Sequence, residues 1–259
     1  MNDGIYRDLA DIYDELMNDV PYSRWIEYVE KTFRRFDADP ALVLDLACGT
    51  GTISLGLAER GYNVIGVDRA QKMIERAEAK RKVGENPQFF CQDLSSMDLP
   101  EIQADAAVCL FDSLNYITDY NDLCRAFKCT ARHLNPGALF VFDVNTELAL
   151  AEELFTQDNL ADKNTNLYYV WKSRYDKEER LSRVKMLFFM RQPDGNYRTL
   201  EEEHWQRAYL PEELISGLEL AGFSVEGLHD EATLRQVGAN TERMYVIARR
   251  NEAGIDIKY

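Results

Sequence analysis

The sequence predicts an α/β fold in which a doubly wound, seven-stranded, mostly parallel sheet carries a small antiparallel sheet as an insertion. Three observations indicate this fold class. Short apolar runs alternate with amphipathic helical segments over the first 145 residues, which is typical of a parallel sheet covered on both faces. A glycine-containing turn follows the first apolar run, and after about residue 165 the segments become strand-like with partial alternation.

The first part of the chain is predicted to be a helix followed by alternating strands and helices. Asp119 is the expected N-cap of the last of these helices, which NPG (135–137) should break. The predicted helices are YSRWIEYVEKTFRRF (22–36), TISLGLAERG (52–61), QKMIERAEAKRK (71–82) and DYNDLCRAFKCTARHL (119–134). The predicted strands are ALVLDLA (41–47), YNVIGVD (62–68), PQFFCQD (87–93), part of ADAAVCLFDSLNYI (104–117) and ALFVFDVN (138–145).

The later part is predicted to leave the core and return to it. PDGN at 193–196 is a strong hairpin signal between strand-like segments. PEELISGLELAGF then predicts a helix from Pro211 to near Gly222, before a closing pair of strands. The predicted organisation is therefore 1–160 for an N-terminal helical cap and the α/β core, 161–210 for an antiparallel insertion, and 211–259 for the return to the core. The insertion would form a substrate lid or a dimer surface.

Composition restricts the function classes. The chain has 259 residues and a formal net charge of −15, so we expect neither nucleic acid nor an anionic membrane as a partner. The N-terminus is acidic and lacks a signal-peptide pattern, which favours a soluble, cytoplasmic protein. The five cysteines are scattered without CxxC and the three histidines lie far apart. Free thiols and no metal site are expected.

The turn in VLDLACGTGTIS (43–54) raises a question of charge. Glycines after a first strand and an acid ending the second strand, here Asp68, are typical of nucleotide-binding turns. Asp45, however, would repel a pyrophosphate at the same place. The ligand should therefore combine an adenosine-like ribose with a positive group. S-adenosylmethionine has a ribose, an α-ammonium and a sulfonium, and no phosphate.

Three ordered motifs resemble those of class I S-adenosylmethionine-dependent methyltransferases: DLACGTG, Asp68 at the end of the second strand, and CQDLSSMDL after the third. The resemblance implies a Rossmann-like core, S-adenosyl-L-methionine as cofactor and S-adenosyl-L-homocysteine as product. The N-terminal segment resembles the cap of bacterial small-molecule members, in which a tyrosine equivalent to Tyr6 or Tyr13 closes over the cofactor.

The resemblance also assigns roles to residues. The turn would wrap the methionine part, with Ala47 in place of the usual first glycine. Asp68 would bind the ribose, Asp93 the adenine amino group, and Leu94 would lie beside the ring. The cofactor-binding residues implied are Tyr13, Asp45, Ala47, Cys48, Gly49, Gly51, Asp68, Arg69, Asp93, Leu94, Phe111 and Asp112.

No catalytic base can be assigned from the sequence, but four residues are candidates: Asp112, Asn115, Tyr116 and His204. The first three follow the fourth strand, in the strip that the resemblance places opposite the sulfonium. His204 and Trp205 should lie on opposite faces of the insertion sheet, so at most one points inward. His133, near a helix C-terminus, is given no catalytic role.

The leading hypothesis is a methyltransferase (EC 2.1.1.-) that methylates a small soluble acceptor at nitrogen or oxygen by in-line transfer. The insertion loosely resembles that of members acting on amino-sugar nucleotides or glycine. No DPPY-like tetrad follows the fourth strand, which argues against the adenine-N6 and cytosine-N4 subclass. Alternatives are a cofactor-binding module without turnover, a nucleotide-dependent oxidoreductase, and a methyltransferase with a protein or RNA acceptor. A monomer and a homodimer are equally compatible with the sequence.

Overall fold

The computed structural model describes residues 9–82, 84, 86–152, 154–158, 166–230 and 233–252, arranged around two sheets. The helices are α1 (Tyr13–Leu16), α2 (Tyr22–Arg35), α3 (Thr52–Glu59), α4 (Gln71–Lys80), α5 (Tyr120–Arg132), α6 (Glu147–Ala151) and α7 (Pro211–Leu220). The strands are β1 (Leu42–Leu46), β2 (Asn63–Asp68), β3 (Gln88–Cys91), β4 (Ala104–Cys109), β5 (Leu134–Asn145), β6 (Gln157–Asp158), β7 (Leu167–Asp176), β8 (Leu181–Arg191), β9 (Tyr197–Arg207), β10 (Phe223–Asp230), β11 (Arg235–Gln236) and β12 (Arg243–Arg250).

The main sheet has the order β11-β10-β12-β5-β4-β1-β2-β3. Strands β1 to β5 pair in parallel, and β12 is antiparallel to both β5 and β10. Seven of these strands are the predicted ones, and the eighth, β11, is a two-residue addition at the edge. Because the order of winding reverses between β1 and β4, the carboxyl ends of these two strands border the crevice where such folds bind ligands.

The main sheet is covered on both faces, as its apolar strands predict. Phe140 and Phe142 of β5 pack in one core with Phe127 of α5, whereas Val141 belongs to a second core with Val29 of α2. This alternation follows from the period of two in a strand. All five residues are almost fully buried. The sheet is thereby held between α5 and α7 on one side and α2 and α3 on the other.

The insertion is an antiparallel sheet with the order β6-β7-β8-β9. Its three long strands match the predicted strand-like segments LYYVWKSRYD (167–176), RLSRVKMLFFMRQ (180–192) and YRTLEEEHWQRAYL (197–210), and the short β6 is an addition. Val184, Met186 and Phe188 on one face of β8 form a small core with Leu9 from the N-terminal cap. The cap therefore packs directly against the insertion.

Two local features differ from, or refine, the sequence-based expectations. Asp119 is the N-cap of α5, since its carboxylate accepts hydrogen bonds from the backbone N–H groups of Asn121 and Asp122. The segment 135–137, expected only to break this helix, is the irregular first part of β5, where the register with β4 shifts between Ala104 and Ala106. Within the described residues, no helix is both long and apolar enough to cross a membrane.

Candidate active site

A cavity lies over the carboxyl ends of β1, β2 and β4, where the predicted motifs meet. Asp45 at the end of β1 and Asp68 at the end of β2 both face it, so the sequence correctly placed the two acids in one cleft. The cavity is lined by Tyr13, Tyr22, Asp45, Ala47, Cys48, Gly49, Thr50, Thr52, Ile53, Asp68, Arg69, Met73, Leu110, Phe111, Ser113 and Tyr116. We call it the first cavity.

The turn between β1 and α3 has three residues with positive φ, and they differ in their surroundings. Ala47 has φ 55°, which explains why glycine is more common at this position. Gly49, also at φ 55°, has no heavy atom within 4 Å of an added Cβ. At Gly51 (φ 77°) such a Cβ would lie 2.8 Å from the Phe89 ring. Gly49 thus borders the cavity, whereas the absence of a side chain at Gly51 allows the Phe89 ring to pack against the turn.

Asp45 is a buried acid, with 2% of its surface exposed. The Ser54 hydroxyl donates a hydrogen bond to its Oδ2 at 2.5 Å. The pKa of Asp45 is raised to about 7, mainly by burial and also by the negative charge of Asp68, while the Ser54 hydrogen bonds act in the opposite direction. A cation in the first cavity would favour the ionised form of this carboxyl group.

Asp68 is fixed by the backbone of two loops. Its Oδ2 accepts a hydrogen bond from the Gly49 N–H at 2.9 Å, and its Oδ1 accepts one from the Ala70 N–H at 2.8 Å. Burial raises the pKa of Asp68, although these hydrogen bonds act in the opposite direction. The carboxylate therefore has a set position between the glycine turn and the start of α4.

The third motif lies at the side of the first cavity rather than in its wall. Asp93 accepts hydrogen bonds from the Ser95 N–H at 2.8 Å and from the Ser95 hydroxyl at 2.7 Å. Its other oxygen lies 4.0 Å from the guanidinium of Arg69, which does line the cavity. Leu94 is partly buried against the main core. The adenine-binding roles of Asp93 and Leu94 remain predictions.

The N-terminal cap covers the glycine turn. Thr50 donates a hydrogen bond to Asp14 at 2.5 Å, and the Lys80 ammonium lies 2.9 Å from the same carboxylate. These contacts join α1 to the turn and to α4, and Tyr13 of α1 forms part of the wall of the first cavity. The other predicted cap tyrosine, Tyr6, lies outside the described residues.

A second cavity of about 560 Å³ adjoins the first. The two cavities share Tyr13, Phe111 and Tyr116. The walls of the second come from the cap, from the end of β4 and from the insertion, and they are mostly apolar or aromatic. It is lined by Leu9, Tyr13, Leu16, Met17, Val20, Pro21, Trp25, Phe111, Asp112, Tyr116, Leu154, Phe155, Gln157, Tyr169, Trp171, Val184, Met186, His204, Gln206 and Arg243.

The backbone at the end of β4 takes an unusual path. Phe111 (φ 64°) and Asp112 (φ 49°) are consecutive residues in the left-handed region, which is costly for side chains of this size. Asp143 of β5 holds them there, because its carboxylate oxygens accept hydrogen bonds from the two backbone N–H groups at 2.8 and 2.9 Å. Trp25 stacks on the Phe111 ring at 4.2 Å.

Arg243 connects the two acids of this region. Its guanidinium pairs with Asp143 and lies 2.8 Å from Oδ1 of Asp112. The other oxygen of Asp112 accepts a hydrogen bond from Gln206 at 2.6 Å. Burial raises the pKa of Asp143 to about 6, and Arg243 opposes that rise. Both oxygens of Asp112 are therefore engaged by donors.

Asp143, Arg243 and Gln206 were not predicted from the sequence as residues of this region. An acid inside the apolar run FVFDVN and a cation at the start of MYVIA were visible signals, since such charges are buried only when paired. Their partners could not be read from the sequence, because Asp143 and Arg243 are 100 residues apart.

The side-chain amide of the candidate Asn115 forms hydrogen bonds with backbone groups. Its side chain is completely buried. It donates hydrogen bonds to the carbonyl oxygens of Asn145 at 3.0 Å and Arg207 at 2.8 Å, and it accepts one from the Asn145 N–H at 2.9 Å. Asn115 thus ties the end of β5 to the end of β9.

The candidates Tyr116 and His204 are in contact. The Tyr116 hydroxyl lies 3.2 Å from Nδ1 of His204, whose Nε2 lies 2.8 Å from a carboxylate oxygen of Glu202. His204 is buried, and Trp205 is on the opposite face beneath the guanidinium of Arg183, which confirms the predicted opposition of these neighbours.

The remaining histidines and the cysteines lie apart from this contact. His133 bridges the Leu99 N–H and the Cys129 carbonyl at 2.9 and 2.7 Å, so it joins the loop before β4 to the end of α5. All five cysteines are free thiols, and one of them, Cys48, lines the first cavity. In the described part of the chain, no group of three or more His, Cys, Asp or Glu side chains is placed to hold a metal ion.

Comparisons with known proteins agree with the motifs. A family model described as a methyltransferase domain matches residues 43–137. The chain is 33% identical to the candidate methyltransferase YqeM of Bacillus subtilis (strain 168) over 248 residues, which cover 96% of this chain and 98% of YqeM.

Solved structures have the same architecture. An S-adenosylmethionine-dependent methyltransferase from Clostridium acetobutylicum ATCC 824 is 31% identical, with a TM-score of 0.83 and coverage of 95% of this chain and 99% of that one. CalS10 from Micromonospora echinaspora, an amino pentose methyltransferase solved with S-adenosylmethionine bound, is 20% identical with a TM-score of 0.73. That match covers 90% of this chain and 93% of CalS10 and shows a shared fold.

Proposed function

This chain belongs to the class I S-adenosylmethionine-dependent methyltransferases, and from that premise we propose that it methylates a small, largely apolar or aromatic acceptor at a nitrogen or oxygen atom. The observation that carries this proposal is the meeting of two cavities at Tyr13, Phe111 and Tyr116. One cavity suits the methyl donor and the other suits an acceptor.

The first cavity fits S-adenosylmethionine by the chemistry of its walls. Asp45 is a buried carboxyl group whose raised pKa shows that a charge there is poorly stabilised by the protein alone. An ammonium or sulfonium group would supply the missing positive charge. Asp68 would accept hydrogen bonds from the ribose hydroxyls, and the open side of Gly49 would admit the methionine part. When bound, the cofactor supplies an activated methyl group on a positively charged sulfur.

The protein's own contribution to the reaction would be position and exclusion of water. A methyl transfer requires the nucleophile, the methyl carbon and the sulfur to lie in one line. The junction residue Phe111 is held in its strained backbone conformation by Asp143 and is stacked on Trp25. A rigid wall at this point would keep the acceptor atom aligned, while the cap residue Tyr13 would cover the site.

The second cavity favours a small-molecule acceptor. Its volume of about 560 Å³ lies within the usual range for ligand pockets. Most of its walls are apolar, and its polar groups Asp112, Tyr116, His204, Gln206 and Arg243 lie toward the junction. That CalS10 is an amino pentose methyltransferase supports an acceptor of this size. A net charge of −15 argues against RNA.

The proposal is tested by following a radiolabelled methyl group from S-adenosylmethionine. We expect label to pass to the dialysable small-molecule fraction of a bacterial extract, and not to its protein or RNA. Asp45→Asn should abolish the transfer, whereas Glu59→Gln, an exposed acid at the end of α3, should not affect it. Label found in protein or RNA alone, or in no fraction, would contradict the proposal.

A further inference from the structure

We propose that Tyr116, His204 and Glu202 form a proton relay that removes the proton from the acceptor's nucleophilic atom as that atom is methylated. This inference rests on the proposed function, because it assigns a role to groups in the same acceptor cavity. Tyr116 is the group that would touch the acceptor. His204 receives the proton through Tyr116, and Glu202 positions and stabilises His204.

The relay is built by two separate parts of the fold. Glu202 and His204 are two residues apart on β9, so both point to the same, inward face. Tyr116 ends the short helical turn that follows β4. Its hydroxyl lies 3.2 Å from Nδ1 of His204, and Nε2 of His204 lies 2.8 Å from Oε2 of Glu202. His204 is only 2% exposed.

The hydrogen-bond partners fix the direction of the relay. A carboxylate can only accept hydrogen bonds, and the two oxygens of Glu202 face two donors, since Oε1 accepts from the Leu9 N–H at 3.0 Å. Nε2 of His204 must therefore carry the hydrogen that points to Oε2. In the neutral ring, Nδ1 is then an acceptor, and the Tyr116 hydroxyl donates to it. Nδ1 is thus the position that can receive a proton.

The relay is placed where a base is needed. Tyr116 borders both cavities, and its hydroxyl lies beside His204, which lines the second cavity. The other charged or titratable groups among the described residues of the second cavity are Tyr13 of the cap, Tyr169 of β7, and the Asp112–Arg243 ion pair. Asp112 is already bound by Arg243 and Gln206, which makes it a poor base.

The relay couples two proton transfers to the methyl transfer. The acceptor's hydroxyl or ammonium proton passes to the Tyr116 oxygen while the Tyr116 proton passes to Nδ1 of His204. The acceptor atom uses its lone pair to form a bond to the methyl carbon, and the carbon–sulfur bond breaks with its electron pair left on sulfur. His204 becomes an imidazolium beside the Glu202 carboxylate and returns its proton to water after the products leave.

Nuclear magnetic resonance of ¹⁵N-histidine-labelled protein tests the relay without an acceptor. The three histidines are few enough to assign by comparison with the His204→Asn variant. We expect neutral His204 to carry its hydrogen on Nε2. Tyr116→Phe should change the Nδ1 signal, and Glu202→Gln should change the Nε2 signal, because each variant alters the hydrogen-bond partner of that nitrogen. Tyr197→Phe, an exposed tyrosine on β9, and Glu203→Gln on the opposite face are the matched controls. A hydrogen on Nδ1 would overturn the proposal.

Kinetics test the role in transfer, with the small-molecule extract fraction as the acceptor. Tyr116→Phe, His204→Asn and Glu202→Gln should each lower kcat by about 100-fold or more, with partial recovery at high pH, where the acceptor ionises by itself. S-adenosylhomocysteine should still bind to the three variants. The two control variants should keep the wild-type kcat. Wild-type rates in the three variants would overturn the relay alone. If the wild-type protein labels no small molecule, the proposed function fails and the relay has no role in transfer.

Discussion

At the scale of single residues, burial makes the charged form of Asp45 unfavourable, and the proposed cationic ligand would offset this cost. A carboxylate removed from water is costly unless a cation accompanies it. Here burial raises the pKa of Asp45 to about 7, so in the ligand-free protein it is partly protonated near neutral pH. We expect ligand charge and site charge to be coupled through this one residue.

The first prediction concerns the pH dependence of binding. A bound ammonium or sulfonium group favours the ionised carboxylate, so it lowers the pKa of Asp45 and binding releases a proton. The affinity for S-adenosylhomocysteine should rise as pH increases through about 7. Calorimetry in buffers of different ionisation enthalpy measures the proton release. Glu59→Gln should preserve it and Asp45→Asn should remove it, and an affinity that falls over this range would contradict the coupling.

The second prediction concerns the stability of the ligand-free protein. Because the folded pKa of Asp45 is above its ordinary value of 3.8, its stabilising contribution is complete below that value and is lost as pH rises through about 7. Above that range, Asp45→Asn should raise the free energy of unfolding by ~1–3 kcal/mol. Urea denaturation of both proteins at acidic and alkaline pH measures this. A variant that is less stable at alkaline pH would refute the assignment.

The third prediction separates backbone strain from packing at glycines. Gly51 (φ 77°) and Gly61 (φ 97°) both have positive φ, but an added Cβ meets the Phe89 ring at 2.8 Å only at Gly51. Gly61→Ala should cost about 1 kcal/mol for strain alone. Gly51→Ala should cost a further ~1–3 kcal/mol for overpacking, as measured by urea denaturation. Equal costs would show that Phe89 moves aside freely.

At the scale of elements, the end of β4 depends on a neighbouring strand for its shape. The backbone of Phe111 and Asp112 turns away from the strand. Asp143 of β5 accepts hydrogen bonds from their two N–H groups, and Arg243 of β12 pairs with the Asp112 carboxylate. β12 lies beside β5 in antiparallel pairing, which places Arg243 opposite Asn145 and close to Asp143. The junction between the cavities is therefore supported by three strands of the main sheet.

The fourth prediction tests this support. Asp143→Ala would leave two backbone N–H groups without their acceptor and would remove one of the two carboxylates that pair with Arg243. Arg243→Met would leave the buried Asp143 carboxylate without its cation. Each should lower the free energy of unfolding by ~3–5 kcal/mol. The double variant should lose clearly less than the two costs added together, because the groups act on one another. If the two costs are additive in a urea-denaturation cycle, Asp143 and Arg243 contribute to stability independently of each other.

At the scale of the whole molecule, the cap connects the core with the insertion. The Leu9 N–H binds Glu202 of β9, while Asp14 binds Lys80 of α4 and Thr50 of the glycine turn. The first cavity is thus closed on one side by a short segment that contacts both parts. Docking of this segment should be coupled to occupancy of the cavity.

The fifth prediction follows from that connection. Lys80→Met removes a cation that contacts Asp14, Thr50 and Thr52. Hydrogen exchange should become faster in residues 13–16, and S-adenosylhomocysteine should bind several-fold more weakly. Lys82→Met is the matched control, since Lys82 is highly exposed and its ion-pair partner, Glu59 of α3 at 3.4 Å, is exposed as well. If both variants behave alike, the cap is not held by Lys80.

The sequence by itself determined the fold class, the order of the elements, the methyltransferase family and the two acids of the first cavity. These depend on local patterns: the period of the apolar residues, a turn with glycines, and acids at strand ends. Folding alone brought together Asp143 with Arg243, and Tyr116 with His204, which are 88 residues apart. The order of the strands and the docking of the insertion determine which of these residues meet, so no local sequence pattern can predict the pairs. For the same reason, Asp112 and Asn115 became catalytic candidates from their position after the fourth strand alone. The tertiary structure shows that both side chains also make hydrogen bonds that hold the site together.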